Sequence, residues 1–202
     1  MTDNEVLVLS TARTPIGNFG GVLRSTNAVE IGAAAIRAAV ERSGVDPNEV
    51  SETVVGHARQ ASNGPNPGRL MAIGAGIPDH VPAHTSQQAC LSSMKGAILG
   101  CQAIRLGDSE VVVAAGSEHM TSIPYYLPNM RWGKKSGDAV AVDGLSKDGF
   151  LDPLTGKKMG ELAEAWSERF GITREDQDRF ALQSQRGTLH GVESGFAKQT
   201  IT

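Results

Sequence analysis

This sequence predicts an α/β fold, a mostly parallel sheet covered by helices on both sides, from three observations. Short runs such as Val6-Leu7-Val8-Leu9 and Val111-Val112-Val113-Ala114-Ala115 are apolar throughout, the pattern of strands buried on both faces. These runs alternate with segments that carry helix start and stop signals, and strand–helix alternation implies parallel neighbours. Aromatic residues make up only 4% of the chain, so small aliphatic side chains must fill the core, which suits helices laid closely on a sheet.

Taken in order, Val6–Leu9 reads as the first strand, followed by a turn-rich stretch from Arg13 to Gly21. Asn27 with Glu30 three residues on is a capping-box arrangement, and Gly44 is placed to close the helix it opens. Thr53-Val54-Val55-Gly56 reads as a second strand. Asn66 before Pro67 starts another helix, running to about Gly74. Val81–Thr85 is a weaker strand candidate, Cys90–Leu106 a helix of small and apolar residues stopped by Gly107, and Glu110–Gly116 the clearest strand. Beyond Gly116 the texture changes: Pro124, Pro128 and Pro153 punctuate a long aperiodic stretch, a length that marks a functional loop or an inserted subdomain. Helices then begin at Met159 and after Thr173, and the segment 199–202 reads as an interrupted strand.

The 202 residues hold 19 Lys and Arg against 22 Asp and Glu, a net charge of −3. That balance carries no electrostatic footprint for nucleic acid or for an anionic membrane. No apolar run approaches the roughly 18 residues of a spanning helix. Two Cys cannot make a disulfide framework, and the polar opening Met1-Thr2-Asp3-Asn4 has neither a secretory nor a transit pattern. The expectation is a cytoplasmic protein.

Cys90 is the leading candidate for chemistry, because it sits at a loop-to-helix junction. There, free backbone N–H groups and the helix dipole favour an anionic sulfur and could hold an oxyanion on a carbonyl it attacks. A buried structural thiol is the competing reading. Cys101 lies eleven residues on, about 16 Å along the helix axis, too far for a disulfide, and is expected in the core. The five His show no metal-ligand spacing with one another or with Cys. His119 follows the strongest strand, at the end where open α/β sheets bind ligands, but none of the five is singled out as a base. The glycines match neither a dinucleotide nor a P-loop fingerprint.

Several segments together resemble the thiolase family of acyl-CoA acyltransferases. They are Arg13-Thr14-Pro15-Ile16-Gly17, Asn66-Pro67-Gly68-Arg69, Thr85-Ser86-Gln87-Gln88-Ala89-Cys90-Leu91-Ser92-Ser93-Met94, Gly116-Ser117-Glu118-His119-Met120, Met159-Gly160 and Arg174-Glu175-Asp176-Gln177-Asp178. The resemblance runs in order over nearly the whole chain. It implies a thiolase-like layered αβα domain (1–118), an inserted loop domain (119–198) and the start of a returning strand (199–202), with the second half of a thiolase absent. It places Cys90 as the nucleophile that carries an acyl thioester, and Leu91, Lys158 and Met159 as substrate-binding residues.

Three departures stand out. Gln87 replaces an Asn common in the family, Leu91 replaces a Gly or Ala and could narrow the acyl pocket, and Lys158 replaces the His of short-chain biosynthetic members. Acyl length is left open by these changes. The implied activity is making or breaking the C–C bond of a 3-ketoacyl-CoA, with CoA and acyl-CoA as substrates and no metal or redox cofactor. A complete enzyme would be a homodimer or tetramer. The family's activating His and second Cys belong to its other half, so this chain alone is expected to be inactive, to expose apolar surface and to associate. A truncated, non-catalytic acyl-CoA-binding or interaction module is the alternative.

Overall fold

The computed structural model describes residues 5–202; the opening segment 1–4, read above for targeting signals, lies outside the described residues. The chain divides into two compact units. One runs to Ile123 and takes in Ile201–Thr202, and the other is Pro124–Thr200. The division falls after Ile123 rather than after residue 118 because His119 is tied into the first unit. Its Nε2 is 2.9 Å from the Leu23 carbonyl, and its Nδ1 accepts from the Ser122 N–H to cap the short turn Met120–Ser122.

Three parallel strands form the first unit's sheet. β1 (Glu52–Gly56) is central, between β2 (Ala83–Ser86) and β3 (Val112–Gly116). Gly56 is paired with Ser86 on one side and Gly116 on the other, so all three strands end level. Helices α1 (Ala28–Ser43) and α2 (Pro67–Ala75) cover one face, where Val55 joins Ile36, Met71, Ala72 and Val81 in a sealed cluster. Burying side chains of this size is worth roughly 1.5–3 kcal/mol each.

Alternation along β1 turns Val54 to the other face, against α3 (Ser92–Leu106). That helix meets the sheet through Ser92, Gly96 and Gly100, its only buried residues and one stripe at four-residue spacing. A Cβ on Gly100 would approach Val112 to 2.9 Å, and one on Gly56 would lie 2.2 Å from the Ser93 backbone nitrogen. Bare glycines are what let the start of α3 settle on the strand ends. The fold is therefore the layered αβα arrangement expected from the strand–helix alternation.

The helix signals hold in detail. Asn27 and Glu30 close a reciprocal capping box and Gly44 ends α1 in the left-handed region. Asn66 caps α2, which extends one residue beyond Gly74 and stops at Gly76.

Five expectations are corrected. Val6–Leu9 is not a strand, since no partner hydrogen-bonds to it among the described residues and Val8 is 81% exposed. It lies across a cleft from β3 and is tied instead to α1, through the Ser10 hydroxyl on the Ala39 carbonyl and Arg42 on the Thr11 carbonyl. The helix after Cys90 begins at Ser92, because Ala89 takes a left-handed φ of 49° and breaks the helical path. Cys101 is exposed, not core: small residues at 92, 96 and 100 face the sheet, and the flank bearing Cys101 borders the same cleft. The strand at 199–202 is replaced by a helical turn, α6 (Phe196–Thr200), leaving Ile201 in a single bridge to Arg13. The clearest strand is also shorter than expected, starting at Val112 rather than Glu110.

The second unit contains a two-residue antiparallel pair, β4 (Tyr125–Tyr126) with β5 (Val142–Asp143), a π-helical turn at Ser146–Phe150, and the helices α4 (Met159–Arg169) and α5 (Arg174–Glu193). Gly144 packs against the Pro124 carbonyl so closely that a Cβ would come within 2.4 Å. At the start of α5, Thr173 and Asp176 satisfy each other's backbone N–H groups. The Thr173 hydroxyl and backbone, and then Arg179, hold the Asp176 carboxyl below the usual carboxylate range. No helix among the described residues is long and apolar enough to cross a membrane.

Candidate active site

Parallel strands that end level create a shared rim, and in such sheets the loops beyond the strand carboxyl ends carry the chemistry. Cys90 stands on this rim. After β2 ends at Ser86, five residues turn the chain into α3. The turn is held from within: the Ser92 hydroxyl donates to the Ala89 carbonyl at 2.6 Å and accepts from the Gln88 N–H at 2.9 Å. The Gln87 side-chain oxygen accepts from the Ala89 N–H at 3.0 Å. Ala89 is thereby fixed at positive φ, a conformation that costs an ordinary residue about 1 kcal/mol or more. Strain of this kind, over-determined by hydrogen bonds, presents the following side chain in one direction.

The following side chain is Cys90, an exposed free thiol one residue outside the N-cap Leu91. Here α3 differs from its neighbours. Asn27 caps α1 and Asn66 caps α2, whereas no side chain caps α3. The N–H groups of a first helical turn have no intrahelical acceptor, and with the dipole they make a site for negative charge. Leu91, beside the thiol, is itself half exposed.

Lys158 and Met159 sit together in the second unit. Lys158 is the N-cap of α4, and its N–H donates to Glu161 at 2.7 Å; its own side chain, having no acceptor, cannot complete the box. A bridge between Lys158 and Leu151 closes the turn in front of the helix. Both residues are exposed, with Met159 leading the helix. The structure thus pairs Cys90 with Leu91 in one unit and Lys158 with Met159 in the other.

His119, the histidine singled out by position, spends both ring nitrogens on local backbone. His57 and Glu118 are what reasoning from the sequence missed. His57 directly follows β1 and is 1% exposed; Glu118 lies two residues beyond β3. The His57 Nδ1 is 3.1 Å from a Glu118 carboxylate oxygen and 2.7 Å from the Ser117 carbonyl. Burial works against the charged ring and is the largest single influence. The Glu118 hydrogen bond and charge, with the Ser117 carbonyl, together outweigh it and raise the His57 pKa above the ordinary histidine value. The available signal was positional: both residues follow adjacent strands that a parallel sheet brings level. No group of three or more His, Cys, Asp and Glu among the described residues could hold a metal ion.

Comparison with known proteins agrees with this architecture. The family described as "Thiolase, N-terminal domain" matches residues 6–201. An acetyl-CoA acetyltransferase of Cupriavidus necator is 46% identical over 96% of this chain and 49% of its own length. The cytosolic acetyl-CoA acetyltransferase ERG10 of Gibberella zeae is 44% identical over 97% of this chain and 50% of its own length. Among solved structures, the Bacillus anthracis acetyl-CoA acetyltransferase superimposes with a TM-score of 0.90 at 40% identity, over 96% of this chain and 49% of that one. The chain belongs to the thiolase family and corresponds to its N-terminal domain. It spans about half the length of the relatives it matches.

Proposed function

We propose that this chain provides the acyl-accepting half of a thiolase, with Cys90 as the nucleophile. The observation that carries this reading is the exposed thiol held by a strained turn immediately outside a helix start that no side chain caps. A thiolate is both a strong nucleophile and a good leaving group near neutral pH, which suits a reversible acyl transfer.

In the degradative direction the Cys90 sulfur attacks the 3-keto carbon of a 3-ketoacyl-CoA. The C2–C3 bond breaks, its electron pair passes to C2, and a proton from an acid yields acetyl-CoA. The shortened acyl group remains on sulfur until a CoA thiolate attacks the thioester carbonyl and frees Cys90. Condensation runs the same steps backwards. The N–H groups at the start of α3 support the oxyanion formed at each attack, an arrangement whose single donors are typically worth 10²–10³ in rate. This scheme draws on no metal or redox cofactor, because CoA is itself the carrier.

Leu91 would narrow the space for the acyl chain beside the sulfur. Lys158, with a cationic side chain at the head of α4, and Met159, with an apolar one, would contact the acyl-CoA. The family resemblance puts the activating His and the acid–base Cys in the half that this chain does not span. Loss of such partners costs several orders of magnitude, so turnover by these 202 residues alone should be negligible. The complete protein would act as a homo-oligomer.

Intact-protein mass after incubation with acetyl-CoA, and separately with a 3-ketoacyl-CoA, tests the reading. A single acyl adduct that disappears in Cys90→Ser supports it. If folded wild-type protein stays unmodified even when supplied with a relative's C-terminal half, the nucleophile assignment fails. Saturable acyl-CoA binding under those conditions would then mark a non-catalytic binding module.

A further inference from the structure

The acyl-transfer scheme does not use the pair of buried His57 and partly exposed Glu118, and its bonding is uneven. Both neighbours of His57 Nδ1, the Glu118 carboxylate and the Ser117 carbonyl, are acceptors, so Nδ1 carries a proton in either charge state. The other ring nitrogen, Nε2, is buried and finds no hydrogen-bond partner among the described residues. A half-satisfied polar group in a protein interior is costly and calls for a physical explanation.

That explanation lies in what the pair holds. The Glu118 carboxylate also accepts from the Ala58 N–H at 3.0 Å and the Arg59 N–H at 3.2 Å, fixing the backbone where the chain leaves β1. The His57 N–H donates to the Ser86 carbonyl at 3.1 Å, at the last residue before the Cys90 turn. The Gln87 amide reaches the Ala58 carbonyl at 3.5 Å, the outer limit of a hydrogen bond, while its oxygen holds Ala89 at 3.0 Å. A continuous set of bonds therefore runs from the His57–Glu118 pair, through the exit of β1, to the strained residue preceding the thiol.

We propose that His57 and Glu118 are positioning residues for Cys90: through the Ala58–Arg59 backbone and Gln87 they hold the turn that presents the thiol at the start of α3. This rests on the reading of Cys90 as the nucleophile. The pair touches no substrate and acts only through the turn.

The test follows iodoacetamide alkylation of each thiol by peptide mass, in the full chain, alongside acyl-adduct formation from acetyl-CoA or a 3-ketoacyl-CoA. Cys101, exposed farther along the same helix, is the internal control. General loosening speeds both thiols, whereas a displaced turn changes Cys90 alone. His57→Leu removes the Nδ1 donor. His57→Asn puts an amide donor close to the Nδ1 position. Gln87→Ala breaks the exposed end of the bond set without touching the His57–Glu118 pair, so it remains informative if His57→Leu fails to fold.

Moving the sulfur off the helix start forfeits part of the support for its thiolate, on the order of tenfold in reactivity. His57→Leu and Gln87→Ala should therefore slow Cys90 alkylation roughly tenfold or more with Cys101 unchanged, and His57→Asn should recover most of that loss. Wild-type Cys90 rates in Gln87→Ala and in folded His57→Leu, or equal changes at Cys90 and Cys101, would overturn the proposal. An acyl adduct that stays absent in wild type even with a relative's C-terminal half supplied, with selective alkylation effects intact, would instead count against the nucleophile assignment and leave the positioning role standing.

Discussion

In the first unit Ile36, Val54, Val55, Met71 and Val81 are sealed from solvent, whereas α4 and α5 of the second bury no residue. Trp132, Phe170 and Phe180 of the second unit stand largely exposed. Apolar burial dominates folding free energy, so the sheet unit draws its stability from tertiary packing. The second unit draws on what its own segments provide: the Thr173–Asp176 box, the Arg174–Asp178 pair one turn apart, and the stack of Trp166 on Phe170 with Arg169 over the indole. Exposed ion pairs and stacks of this kind contribute little, because solvent screens them and their side chains lose freedom in forming them. The difference also places the chemistry. A turn can be held in strain at Ala89 only where the surroundings are rigid, and the rigid surroundings are the strand ends of the first unit.

The sharpest way to break this comparison is to truncate one large side chain in each unit. Met71→Ala, at a fully buried position, should cost about 2–5 kcal/mol in chemical denaturation. Phe180→Ala should stay within about 0.5 kcal/mol, as surface substitutions do. Equal losses would mean that the second unit has a core of its own.

Next in size is Gly56→Ala, whose new Cβ meets the α3 backbone at Ser93. Over-packing there should cost about 1–3 kcal/mol and shift Cys90 alkylation, because α3 must retreat from the strand ends. An unchanged denaturation midpoint would show that the helix start is not seated on β1.

Thr173→Ala removes the side-chain cap of α5 and should cost about 1 kcal/mol. Helicity read by circular dichroism should fall while the sheet unit's transition stays in place. If both shift together, the second unit's stability is tied to the sheet unit's packing.

A subtler effect is gated by pH. His57 has a raised pKa in the folded protein, so its stabilising contribution is fully present below the unfolded value of about 6.5 and is lost as pH rises through the folded value. Wild type should therefore lose stability relative to His57→Asn as pH climbs from slightly acid to alkaline. A difference constant across that range would mean that the ring does not change charge there.

Much of this was legible in local sequence. Asn27 with Glu30, Asn66 before Pro67, Thr173 with Asp176, and the closing Gly44 and Gly107 all act through bonds within one turn of chain. Their geometry follows from the residues themselves. Cys90 was legible as a thiol at a loop-to-helix junction for the same reason. The failures have a shared cause. Val6–Leu9 reads as a buried strand because an apolar run records only the tendency to be covered, and coverage depends on a partner that the run does not encode. Cys101 reads as core because helix periodicity does not say which flank meets the sheet; the close approach of Gly100 to Val112 decides that.

The sequence by itself therefore determined where α1, α2 and α5 start, where α1 and α3 stop, the parallel αβα layering and the thiol just ahead of α3, because these rest on short-range sterics and hydrogen bonds. Only the tertiary structure decided that Ala89 would be strained, that α3 would begin without a side-chain cap, and that buried His57 would pair with Glu118, 61 residues on, beside the turn. Those features depend on three strands ending level, and strand register is a property of the sheet as a whole rather than of any one segment.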